Sequence, residues 1–110
     1  LNTTHRVGFG HVTRNRRYYT VFAYVFEAQR PFLMVACSKE FRFRGLGSES
    51  SVDFDVATRP EIEDMIQFPV GLVADGDQLL VSWGRDRNRE TRASSLRLAE
   101  LELARLPRLE

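Results

Sequence analysis

From Arg17 to Phe26 the chain reads Arg-Tyr-Tyr-Thr-Val-Phe-Ala-Tyr-Val-Phe, and no other stretch narrows its fold so far. Alternate positions put Tyr18, Thr20, Phe22, Tyr24 and Phe26 on one side, and Tyr19, Val21, Ala23 and Val25 on the other. Successive side chains of a strand point to opposite faces, and aromatic and β-branched residues suit that pleated surface. The β-branched residues, with no capping residue and no charged face, speak against a helix. Both sides are largely apolar, so the expected place is a central strand covered on both faces.

The flanking sequence continues the pattern. Glu27-Ala28-Gln29-Arg30 makes a short polar connection, and Pro31 to Ser38 reads as the returning strand of an antiparallel hairpin. Phe41 and Phe43 alternate with Arg42 and Arg44, which predicts a short strand with one wet face. Residues 44–64 are rich in Gly, Ser, Asp and Glu and read as a long surface connection, with a brief strand at Val52 to Val56. A second apolar run from Met65 to Val73 is followed by Asp75-Gly76, a tight-turn signal, and by the returning strand Gln78 to Trp83. Thr91 to Leu98 makes a third strand, and the tail from Ala99 to Leu106 fits strand or short helix alike. No helix-length amphipathic segment separates the strands, so the fold class is all-β, an antiparallel meander. It divides into a first sheet in 1–44, a connection in 45–64 and a second sheet in 65–110.

Charge and cysteine content exclude several classes. Sixteen basic residues against fifteen acidic ones leave a formal net charge of +1, so no overall field draws nucleic acid or an anionic membrane. Cys37 is the only cysteine, which excludes an intramolecular disulfide. No apolar stretch approaches a membrane span, and no signal peptide precedes the first strand, which makes the cytoplasm the default compartment. The opening Leu1-Asn2-Thr3-Thr4-His5 lacks an initiator Met and reads as the interior of something: either residues upstream are disordered or absent, or this is the tail of a longer protein. Phosphate-loop, nucleophile-elbow and dinucleotide signatures are missing, and Gly8-Phe9-Gly10 reads only as a flexible turn. His5 and His11 have no nearby carboxylate cluster, so neither a metal nor another cofactor is expected.

Phe68-Pro69-Val70-Gly71-Leu72-Val73, then Asp75-Gly76-Asp77-Gln78-Leu79-Leu80-Val81-Ser82-Trp83-Gly84, resembles the final blade of five-bladed β-propeller glycosidases and glycoside phosphorylases. Upstream, Thr4-His5-Arg6-Val7, Tyr18-Tyr19 and the stretch from Pro31 to Phe41 are similar to segments of that group's preceding blade, in the same order. The resemblance implies about two blades of an incomplete propeller. Trp83 stands where the group has Tyr, and Asp86 arrives one position early after Gly84. The group's catalytic carboxylates come largely from blades beyond this segment, so the resemblance identifies no catalytic residue here.

The candidate substrate-binding residues are His5, Trp83, Asp86 and Arg17. His5 fits a central sugar or phosphate pocket as well as it fits a structural role, since a neutral imidazole both donates and accepts. Trp83 fits stacking on a sugar ring or burial between blades. Asp86 fits hydrogen bonding to sugar hydroxyls or pairing with Arg85 or Arg87. Arg17, with Arg14 and Arg16, fits an anion clamp or a solvated turn. His11 has no counterpart in the group and reads as a loop histidine. Two functions fit this set. One is a carbohydrate-related propeller fragment without full catalytic activity alone, since glycoside cleavage needs a positioned carboxylate pair. The other is a non-enzymatic orphan or cassette-type protein that self-associates through its blade-like sheets. Carbohydrate and a second copy of the chain are the expected partners; nucleic acid and membranes are not.

Overall fold

The computed structural model describes residues 4–14, 18–44, 51–56, 67–85 and 90–107. Its strands are β1 (His5–Arg14), β2 (Tyr18–Glu27), β3 (Met34–Cys37), β4 (Arg42–Phe43), β5 (Val52–Asp53), β6 (Gln67–Asp75), β7 (Gln78–Arg85), β8 (Glu90–Arg97) and β9 (Ala104–Arg105). A short 3-10 helix, Leu98–Leu101, precedes β9. The fold is all-β with antiparallel sheets, in strand orders β1-β2-β3-β9, β4-β5 and β6-β7-β8.

The run that most constrained the sequence becomes β2, a central strand between β1 and β3. Its odd positions Val21, Ala23 and Val25 are buried, and they share the inner face with Val7 of β1. The even positions depart from the expectation of full cover: Phe22, Tyr24 and Phe26 are only half-buried. Opposite them β1 carries Gly8 and Gly10, which lie inside a strand of ten residues and form no flexible turn. His11 belongs to that strand as well, not to a loop.

The segment after β3 stays beside β2. Ser38 N–H donates to the Ala23 carbonyl, and Phe41 and Val21 exchange backbone hydrogen bonds of 2.8 and 2.7 Å. β4 then leaves the sheet to pair with β5. Of the expected wet face only Arg44 is exposed: Arg42 is buried with Phe41 and Phe43, and its Nη2 donates to the Asp55 carbonyl. The brief strand expected in the long connection narrows to Val52–Asp53, which pairs back onto β4.

Gln67, fully buried at the start of β6, reaches β4. Its Oε1 accepts from the Phe43 N–H at 2.8 Å and its Nε2 donates to the Phe43 carbonyl at 3.0 Å. The side-chain amide therefore serves β4 as one more strand would. β6 carries Pro69 and a bulge between Pro69 and Gly71, as befits an edge strand that loses a backbone donor. The turn after β6 is the one expected: Asp75 pairs with Gln78, and Gly76 has φ 62.

Both three- and four-stranded sheets turn one face to a common core. Val7, Val21 and Ala23 meet Phe41, Phe43, Val52, Leu79, Val81, Trp83, Leu96 and Leu101 in one apolar cluster. The tail does not extend the second sheet, as the division at 65–110 had it. Leu101 is fully buried, β9 pairs with β3, and Leu106 N–H donates to the Val35 carbonyl at 2.8 Å. Glu100 secures this crossing by accepting from Arg97 N–H at the helix start and from Ser51 N–H before β5.

Candidate functional site

The half-buried face of β2 carries three aromatic side chains in a row. Phe22 and Tyr24 have ring centroids 5.9 Å apart at 40°, and Tyr24 and Phe26 are 5.9 Å apart at 38°. The strand period of two brings them to one face, and the register of β1 supplies what lies beneath. Gly10 pairs with Phe22 and Gly8 with Tyr24. A Cβ on residue 8 would stand 2.6 Å from Tyr24 Cζ, and one on residue 10 would stand 2.7 Å from Phe22 Cζ. Only a bare backbone lets the rings lie down across β1, an arrangement that covers strand glycines with aromatic surface. Each aromatic neighbour pair contributes about 0.5–1.5 kcal/mol beyond its buried area.

The row has defined ends. At one end Thr20 is buried and its Oγ1 donates to Glu40 Oε1 at 2.6 Å. At the other end Phe26 lies between Arg6 of β1 and Met34 of β3. Cys37 stands opposite Tyr24, half-buried, as a free thiol. The row is therefore an apolar strip with one phenol at its centre, bounded by Thr20 and Glu40 at one end and by Arg6 and Met34 at the other.

The four residues singled out from sequence do not assemble into one site. His5 pairs with Glu27 at the start of β1, and its Nδ1 lies 2.8 Å from Thr4 Oγ1. Trp83 belongs to the other sheet and has 2 % of its surface exposed. Its ring stacks on Phe43 at 5.2 Å and 13°, and its Nε1 donates to Ser94 Oγ at 2.9 Å. Burial, not sugar stacking, is its role, because odd positions of β7 face the core with Leu79 and Val81. Asp86 and Arg17 lie outside the described residues, as does Arg16. His11 stacks on Tyr19 at 5.0 Å and 13°, with Phe68 at 6.3 Å. Among the described residues no group of three or more His, Cys, Asp or Glu is placed to hold a metal ion.

The aromatic row is the feature that sequence reasoning passed over. The signal was present: Gly8 and Gly10 are two apart, as are Phe22 and Tyr24, and one hairpin register matches both pairs. Comparison with protein-family models, with curated proteins and with solved structures yields no match to this chain.

Proposed function

We propose that this chain is a non-catalytic carbohydrate-binding β domain whose ligand is a neutral glycan laid along Phe22, Tyr24 and Phe26. The observation that carries the reading is the row itself, held flat on Gly8 and Gly10 and only half-buried. Pyranose rings present apolar C–H faces that pack on aromatic faces, while their hydroxyls need donors and acceptors at the edge. The Tyr24 hydroxyl can do both. Successive rings are turned by 38–40°, which suits a chain of sugars that twists along its length better than a single sugar. These groups bind and do not transfer protons, so the proposal includes no cleavage. The resemblance of residues 68–84 to a sugar-processing propeller blade points the same way, and the three-stranded sheet is compatible with such a blade.

The test is electrophoresis in gels containing soluble neutral β-glucans, with Tyr24→Ala and Phe22→Ala as variants. Wild type should be retarded by at least one glucan, and each variant should lose most of that retardation while keeping its far-ultraviolet dichroism. Equal retardation of all three proteins, or none for wild type across the glucan series, would overturn the reading.

A second reading, self-association, rests on a different surface. Val70, Val73 and Leu80 on the outer side of β6 and β7 are 67 %, 64 % and 48 % exposed. Contiguous apolar exposure on a sheet marks an interface more often than chance.

A further inference from the structure

The turn between β2 and β3 ends in an apolar tip. Phe32, Leu33 and Met34 follow one another in sequence, and about half of each is exposed (51 %, 55 % and 47 %). Backbone hydrogen bonds tie the turn together: Glu27 N–H donates to the Leu33 carbonyl at 2.9 Å, Phe32 N–H to the Gln29 carbonyl at 2.8 Å, and Ala28 N–H to the Thr4 carbonyl at 2.9 Å. Phe32 has φ 60, a left-handed conformation that a bulky residue adopts only at a cost. A large apolar side chain is thus kept in an unfavourable backbone conformation while half of it meets water. Half of the Phe32 side chain is left open to contact from outside the chain.

Cations border the tip. Arg30 is exposed two residues before Phe32, Arg6 is exposed across Phe26 from Met34, and Arg105 is exposed opposite Ala36 of β3. Among the described residues of β1 and β2 the one carboxylate is Glu27, opposite His5. We propose that this turn docks on an anionic lipid surface, with Phe32, Leu33 and Met34 entering the interfacial layer and Arg30 and Arg6 meeting the headgroups. A protruding apolar tip fringed by arginine matches a surface that is apolar inside and negative at its boundary. A flat glycan offers neither charge nor depth, so this proposal does not rest on the carbohydrate reading. The chain-wide formal charge of +1 does not report on this local grouping of arginines. Among the described residues no helix is long and apolar enough to cross a membrane, and none is needed for such docking.

The experiment is co-sedimentation with large vesicles of phosphatidylcholine alone or mixed with phosphatidylserine. Wild type should pellet with the mixed vesicles, and binding should fall on pure phosphatidylcholine and with added salt. Arg30→Glu should weaken binding about tenfold or more. Phe32→Asn with Leu33→Ser should do the same by about tenfold or more. Asn accepts the left-handed conformation, so this variant should stay folded by circular dichroism and keep any retardation in glucan gels. Failure of wild type to pellet, or unchanged binding in both variants, would overturn the proposal. So would a change in oligomeric mass on Phe32→Asn with no loss of vesicle binding, which would make the tip a protein contact.

Discussion

Gly76 and Phe32 share almost the same positive φ, 62 and 60, in turns of different sheets. At Gly76 the conformation serves a two-residue hairpin turn, and a Cβ there would have no neighbour within 4 Å. Any loss on substitution is therefore backbone strain and not collision. Gly76→Val should lower stability by about 1–2 kcal/mol, read as the shift of a urea midpoint at constant slope. Unchanged stability would mean that the turn is not what sets this conformation. Gln67 presents the opposite case, since its whole value lies in what it touches. Gln67→Leu keeps the size of the side chain but strands the Phe43 N–H and carbonyl, each buried away from water. The expected loss is about 2 kcal/mol or more, and a loss within experimental error would show that water reaches Phe43.

At the scale of elements, the β1–β2 hairpin decides whether an aromatic row exists at all. Gly8→Val should push the Tyr24 ring off β1, because the new Cβ would begin 2.6 Å from it. Its inner-face neighbours Val7 and Val25 are untouched, so the hairpin itself should persist. The expected outcome is a changed tyrosine signal in near-ultraviolet dichroism and loss of glucan retardation, with far-ultraviolet dichroism retained. Full retardation with Gly8→Val would separate glycan binding from the geometry of the row. The same hairpin marks how far sequence could be read. The alternation of β2 and the turn at Asp75-Gly76 were legible because each is local: one is a period of two, the other a single residue's tolerance of positive φ. How wet a face is depends on the facing strand. Nothing in Phe22-x-Tyr24-x-Phe26 alone says that glycines will lie beneath it and leave the rings at the surface. Trp83 was ambiguous for the same reason until Phe43 and Ser94 were found around it. The tail was undecided because its strand, Ala104–Arg105, is two residues long and is fixed by Val35 to Cys37, far away in sequence.

For the whole molecule the question is what the chain leaves uncovered once its two main sheets share one core. Among the described residues β1, β9, β6 and β8 each have a partner on one side only in the two main sheets. β6 is blunted by Pro69 and its bulge, which disfavour pairing along that edge. Its outer face is not blunted: Val73 sits opposite Leu80, and Val70 stands out at the bulge. Two such faces from two copies would bury this apolar surface without needing a new hydrogen-bonded ladder, and a twofold pair is the simplest closed arrangement. We expect a dimer at micromolar concentration by light scattering. Val73→Lys with Leu80→Lys should return it to a monomer, because burying two ammonium groups per copy in place of apolar side chains carries a large desolvation cost. Both positions are exposed in the single chain, so the change should cost the fold itself within about 0.5 kcal/mol. A wild type that is already monodisperse and monomeric would sink the self-association reading and leave this face without a role. A dimer that survives the double change would instead move the interface to another surface, with the β8 edge and the Phe32–Met34 tip the next to be tested.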